Sequence, residues 1–135
     1  MPVLALSGIR PPHHRLRENI GSLEELKQSM KEEGLLQPIV VRRVGGHSEI
    51  VAGHRRYMAA LELGWKEIEV FEVDVDDKKA FEIGLTENIQ RKSMDIIEEG
   101  KAFSYYTSTK GYGAVSDLAR KIGVSEKYIR DRLIP

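Results

Sequence analysis

Between Ser22 and Arg91 helix and strand patterns alternate, and from Ser93 onward the strands stop. A chain patterned in this way must cover a small sheet with helices and then continue as helix alone. The stretch "GSLEELKQSMKEEGLLQP" shows the helix signals in order. Ser22 and Glu25 read as a capping box, and Leu23, Leu26 and Met30 fall on one face. Gly34 is the stop signal and Pro38 blocks continuation. Residues 38–43, "PIVVRR", read as a strand, "VGGHS" as a hairpin connection and residues 49–52, "EIVA", as the returning strand. "HRRYMAALELG" reads as a second helix with Met58 and Leu61 turned inward and Gly64 past its end. Residues 67–75 read as a third strand, and residues 76–91 as a third helix capped by Asp76 or Asp77. Residues 95–111 form a further helix opened by a second capping box, Asp95 with Glu98. The expected fold class is α/β (α+β): an N-terminal domain over residues 1–92 with a small mixed sheet, then an all-α helix-turn-helix segment over residues 93–135.

Composition removes several classes of function. The chain has no Cys, which excludes disulfides, thiolate metal sites and a Cys nucleophile. Its four His form no zinc-ligand spacing. No apolar run reaches the length of a membrane span and the first residues lack a signal-peptide pattern, so no membrane partner is expected. Net charge is zero, which taken alone argues against nucleic acid. The distribution differs: residues 66–100 carry five Lys/Arg against eleven Asp/Glu, and residues 101–135 carry seven against three. The end of a neutral chain is basic.

Three short motifs can carry chemistry in the first domain. "AGHRR" places Gly53, His54, Arg55 and Arg56 where a strand turns into a helix. Helix N-termini present unpaired N–H groups and partial positive charge, and Gly allows close backbone approach. Cations there oppose the helix dipole unless an anion sits beside them, so the turn suits a phosphate. The bland alternative is a surface turn whose arginines pair with Glu62, Glu49 or the acidic middle segment. "TENIQR" puts Glu87, Asn88 and Arg91 on one helix face. Glu and Asn offer oxygen ligands of the kind Mg²⁺ takes alongside water and phosphate, and a solvated Glu–Arg pair is the alternative. Gln37, before Pro38, either bonds a ligand or satisfies backbone at the helix–strand junction.

The fourth motif lies at the basic end. "AVSDLARKIGVSEKYIRDRL" reads as a helix-turn-helix, with Ala119 at the helix crossing, Gly123 in the turn and Ile129 in the core of the second helix. Ser125 caps that helix, and Lys127, Tyr128, Arg130, Asp131 and Arg132 fall mostly on its exposed faces. In DNA-binding members of this motif the second helix enters the major groove. The candidate DNA contacts are Ser125, Lys127, Tyr128, Arg130 and Arg132; an ordinary helical hairpin is the alternative.

Taken together and in this order, "SLEELKQSMKEEGLLQPIVVRR", "SEIVAGHRRYMAA", "ENIQRKSMDIIEE" and the helix-turn-helix resemble the N-terminal half of ParB-type chromosome and plasmid segregation proteins, from about Leu16 to the end of the chain. The resemblance implies a nucleotide-binding α/β domain followed by a helical DNA-binding domain. It implies CTP and Mg²⁺ as ligands, with slow CTP hydrolysis in many members. By position, Gly53, His54, Arg55 and Arg56 would hold the triphosphate, and Glu87 and Asn88 would bind Mg²⁺. Gln37 would sit by the phosphates and assist hydrolysis, and Arg91 would help close the pocket. It further implies a homodimer in the full-length protein that clamps DNA after loading at a centromere-like site and then slides on non-specific DNA. The implied partner is a partition ATPase of the ParA type, and the implied location is the cytoplasm, on nucleoid or plasmid.

The chain departs from the family at His54, where the family has Glu, and in "IRPPHHRLREN", where the family has an "NPxQPR" pattern. An imidazole still suits a phosphate, so binding is expected to survive, with hydrolysis and nucleotide choice left open. Arg15 and Arg17 either take over a phosphate contact or the first strand differs. The chain stops at Pro135, inside the expected DNA-binding domain, and reads as a fragment lacking the remaining helices and the dimerisation domain. Two other functions stay open at this point. One is a nucleotide-dependent small-molecule kinase on the same scaffold, with Glu49 or Glu87 as base. The other is a DNA-binding adaptor whose first domain only mediates protein interactions. A sulfiredoxin is excluded by the absence of Cys.

Overall fold

The computed structural model describes residues 2–12, 21–35, 37–111 and 113–133. The chain divides into two compact units, the first ending at Ala80 and the second beginning its main run at Phe81. The expected readings of Arg15 and Arg17 fall outside the described residues.

The first unit is built on a five-stranded mixed sheet. Its strands are β1 (Val3–Ala5), β2 (Ile9–Arg10), β3 (Ile39–Val44), β4 (His47–Ala52) and β5 (Glu67–Glu72). They lie in the order β1-β5-β3-β4-β2. β3 and β4 form the antiparallel hairpin expected around Gly45 and Gly46, while β5 joins β3 in parallel. Two helices complete the unit, α1 (Glu24–Glu33) and α2 (His54–Glu62). Along β5, buried Ile68 and Val70 alternate with exposed Glu67, Glu69 and Phe71, so at this strand one sheet face is packed and the other faces water. On the packed side Ile39, Val41, Ile50, Ile68 and Val70 meet Met30 of α1 and Tyr57, Ala59 and Ala60 of α2. Ala59 and Ala60 let α2 lie close to its neighbours.

Several local expectations are corrected. Ser22 does not form a capping box with Glu25. Leu23 is drawn into the core and α1 begins at Glu24, so the Ser22 hydroxyl accepts from the Glu24 N–H at 3.3 Å, as a turn residue one place outside the helix cap. Leu61 is exposed, because the inward face of α2 is carried by Tyr57 and Ala60. β5 ends at Glu72 rather than Val75; the Val73 N–H still reaches Val41 O at 2.9 Å, but the Val75 carbonyl accepts from Arg42 instead of continuing a ladder. β1 and β2, three and two residues long, were absent from the sequence reading.

α3 (Asp77–Arg91) leads into the second unit. Asp76 caps it, accepting from the Lys79 N–H at 2.8 Å. α4 (Ile96–Lys110), α5 (Ala114–Ile122) and α6 (Glu126–Arg130) follow. The expected capping box of α4 is present in both directions, Glu98 N–H to Asp95 at 2.7 Å and Asp95 N–H to Glu98 at 3.0 Å. Leu85 of α3 packs with Phe103, Leu118 and Ile129 from the three later helices. Packing thus groups the larger part of α3 with the helices after it. Among the described residues no helix is long and apolar enough to cross a membrane.

Candidate functional site

The turn from β4 into α2 is shaped by one glycine. Gly53 has φ 100° and ψ 25°, a left-handed conformation. A Cβ at this position would lie 2.8 Å from Ile39 Cγ2 and 3.0 Å from Ile39 Cβ. Any other residue would therefore be strained and would also collide with the core strand β3. The helix that follows has no side-chain N-cap and no acidic residue in its first turn. It opens instead on His54, Arg55 and Arg56, all half-buried.

The two arginines reach back over neighbouring backbone. Arg55 Nη2 donates to Ser22 O at 2.8 Å. Arg56 Nη1 donates to Gln37 O at 2.7 Å and to Pro38 O at 3.0 Å. Arg56 thereby ties the loop carrying Gln37, itself exposed, to the same turn. Two of the carboxylates that the alternative reading offered these arginines are engaged by other cations: Glu62 takes Lys27 at 3.1 Å and Glu49 takes Arg42 at 2.9 Å. The assembly presents a helix N-terminus that its glycine cap gives no side-chain bond, with two guanidiniums and an imidazole beside it, which is donor chemistry for an oxyanion.

Glu87, Asn88 and Arg91 lie on α3 in the second unit, whereas the glycine turn and Gln37 belong to the first. Glu87 accepts from Arg91 Nε at 2.9 Å across one helical turn. The Asn88 carboxamide donates to Gly84 O at 2.8 Å and accepts from Ser93 Oγ at 2.7 Å. It therefore stitches down the end of α3, where Lys92 adopts a positive φ of 53°. Among the described residues no group of three or more His, Asp or Glu side chains is placed to hold a metal. One carboxylate and one carboxamide oxygen suit Mg²⁺ chemically as a minimal set completed by water and ligand oxygens.

A buried ion pair beside the hairpin escaped the sequence reading. Arg42, 5% exposed, donates through Nε and Nη2 to Glu49 Oε1 at 3.2 and 2.9 Å, and through Nη2 to Asp77 at 2.6 Å. Burial works against its charge, but the bonds to Asp77 and Glu49 outweigh that and raise its pKa. Arg42 and Glu49 are directly paired across the β3–β4 ladder, so the hairpin register was the signal that could have found them. Glu49 is buried against this arginine, a poor position for a general base.

In the second unit α5 and α6 form the expected helix-turn-helix. Gly123 has φ 78°, Ser125 accepts from the Tyr128 N–H at 3.0 Å, and Ala119 and Ile129 are buried. Ser125 is thus a cap. Lys127 and Arg130 are exposed, each in a helical pair, with Asp131 and Glu126 respectively, at 2.7 Å. Tyr128 and Arg132 are not on the open face as expected. Both are half-buried and turn to Glu99 of α4, Tyr128 Oη at 2.6 Å and Arg132 Nε at 2.8 Å. Burial, then the Glu99 bond, pushes the Tyr128 phenol up. On α5, Asp117 pairs with Lys110 at 2.7 Å and accepts from Tyr106 Oη at 2.9 Å, which together hold its carboxyl well below the usual range.

The ParB N-terminal domain family matches residues 3–89. The chain is 38% identical over 135 residues to the chromosome-partitioning protein Spo0J of Thermus thermophilus, covering 96% of this chain and 48% of that protein. It is 35% identical over 126 residues to the chromosome-partitioning protein ParB of Caulobacter vibrioides, covering 90% of this chain and 40% of that protein. The chain thus spans about half the length, or less, of these curated relatives. Two crystal structures of a C-terminally truncated chromosome-partitioning protein ParB from Caulobacter crescentus share its fold. The one complexed to the centromeric parS site has a TM-score of 0.70 at 25% identity and covers all of this chain and 73% of that one. The one complexed with CTP-gamma-S has a TM-score of 0.62 at 28% identity, with coverages of 98% and 76%. With its glycine turn and its helix-turn-helix in the expected order, the chain belongs to the ParB family.

Proposed function

We propose that this chain is the nucleotide-binding and DNA-binding part of a partition protein for chromosome or plasmid segregation, with CTP and Mg²⁺ as the ligands of its first steps. The observation that carries this reading is the Gly53 turn. Its glycine is jammed against Ile39, and it opens an uncapped helix on His54, Arg55 and Arg56. In this reading Gly53, His54, Arg55 and Arg56 take the triphosphate, and Gln37, held beside the turn through Arg56, assists slow hydrolysis. Glu87 and Asn88 hold Mg²⁺, which would neutralise phosphate charge, and Arg91 helps close over the nucleotide. Ser125, Lys127 and Arg130 form the candidate DNA surface, with Tyr128 and Arg132 turned to Glu99 behind it. The relative bound to CTP-gamma-S and the relative bound to parS support both halves. Within the longer protein we propose a homodimer that clamps DNA, a partition ATPase of the ParA type as partner, and a cytoplasmic location on nucleoid or plasmid. The kinase reading loses one of its candidate bases, because Glu49 is buried against Arg42.

Calorimetric titration with CTP, ATP and GTP, with and without Mg²⁺ and with and without DNA, tests this. The expected result is CTP-selective, Mg²⁺-dependent heat, weakened at least about tenfold in Arg55→Ala, since a hydrogen bond to a charged group contributes about 1.5–3 kcal/mol. ATP selectivity would bring the kinase forward. No heat from folded protein, with DNA present, would leave the first unit as an interaction platform.

A further inference from the structure

The α5–α6 pair is held from below by an acid that the DNA-binding reading does not use. Glu99 sits on α4, 7% exposed, and both of its oxygens are engaged from the α6 region. Oε2 accepts from Tyr128 Oη at 2.6 Å and Oε1 from Arg132 Nε at 2.8 Å. The Arg132 guanidinium also lies over the Tyr128 ring, 3.5 Å from its centre, and Nη1 donates to Tyr128 O at 3.0 Å. The ring in turn meets Phe103 edge-on at 6.2 Å. This is a closed triad of acid, phenol and guanidinium with a cation–π contact inside it. With Nε on Glu99, Nη1 on the Tyr128 carbonyl and its face on the Tyr128 ring, the Arg132 guanidinium is held in place, and swinging it out to a phosphate would leave the buried Glu99 carboxylate without its cation, which is costly. Lys127 and Arg130 differ: their acidic partners are exposed helical neighbours, pairs contributing only a few tenths of a kcal/mol. A DNA phosphate can replace them at little cost.

We propose that Glu99 is a positioning residue for DNA recognition. Through Tyr128 and Arg132 it fixes the seat of α6, and it leaves Lys127 and Arg130, not Arg132, as the cations that meet DNA phosphates. This rests on the reading of α5 and α6 as a DNA-binding helix-turn-helix.

The test is fluorescence anisotropy of the chain with a parS duplex and a scrambled duplex over a series of salt concentrations. Lys127→Ala and Arg130→Ala are expected to shallow the slope of log K against log salt by about 0.9 each on both duplexes. Arg132→Ala and Arg132→Lys are expected to leave that slope unchanged. Glu99→Gln and Tyr128→Phe are expected to weaken parS binding about tenfold, as loss of a charge-assisted bond implies, while scrambled-duplex binding holds. Tyr128→Phe removes one hydroxyl and keeps the ring on Phe103, so it serves if Glu99→Gln fails to fold. The proposal is overturned if Arg132→Ala shallows the slope as Lys127→Ala does. It is equally overturned if folded Tyr128→Phe binds parS like the unchanged chain. Failure of the unchanged, folded chain to bind either duplex would overturn the DNA reading beneath it, and is told apart because no variant is needed to see it.

Discussion

Gly53→Ala is expected to destabilise the first unit by about 3 kcal/mol and to abolish nucleotide heat. Two costs combine. A φ of 100° is strained for any residue with a Cβ, at about 1–3 kcal/mol. The new methyl would sit 2.8 Å from Ile39 Cγ2, and overpacking of a core typically costs about 1–3 kcal/mol more. Ile39 is fully buried in the central strand β3, so it has little room to withdraw. Since domains are stable by only about 5–15 kcal/mol, the variant should melt many degrees lower. Chemical denaturation measures the loss, and a cycle with Ile39→Ala identifies its source. Removing Cγ2 relieves part of the clash, so the double variant should lose less than the two single losses together. Strict additivity would mean that Ile39 is not what makes glycine necessary.

Glu49→Ala is expected to be about as damaging, at about 3 kcal/mol, the lower end of what breaking a buried ion pair costs. The substitution leaves Arg42 charged and 5% exposed, with the largely exposed Asp77 carboxylate and the Val75 carbonyl as its remaining acceptors. Glu49→Gln keeps an acceptor and should cost less. Replacing both partners with apolar residues, Arg42→Met with Glu49→Leu, should recover most of the loss, because the penalty comes from the unpaired charge. Urea denaturation of the three variants would show that order. A double variant as unstable as Glu49→Ala would instead place the cost in lost packing.

What could be read from the sequence, and what could not, follows the range of each interaction. The Asp95–Glu98 box, the Gly123 turn and the Ser125 cap each involve residues within four positions, and all three appear in the structure. The β3–β4 hairpin was visible because its strands are joined by a glycine pair. β1 and β2 are too short for a periodicity to register; non-local contacts fix them, pairing with β5 and β4 and, for β2, burial of Ile9 in the core. Ser22 illustrates a local signal overridden by packing: burial of Leu23 moved the helix start by one residue, and the motif lost its register. Tyr128 and Arg132 looked exposed on a helical projection. Their partner, Glu99, lies 29 and 33 residues earlier, beyond any local rule. At the glycine turn the residue types were legible, but the use of Arg56 to hold the Gln37 loop was not, because that contact spans 19 residues.

The most direct measurement on the central claim is an NMR titration of the isotope-labelled chain with CTP and Mg²⁺, following backbone amides. The expected result is that the largest shifts fall on Gly53, His54, Arg55 and Arg56, with Gln37 among the next, while GTP moves them little. Binding of CTP with these amides undisturbed, or no change at any amide in the presence of DNA, would contradict the assignment of the turn as the phosphate site.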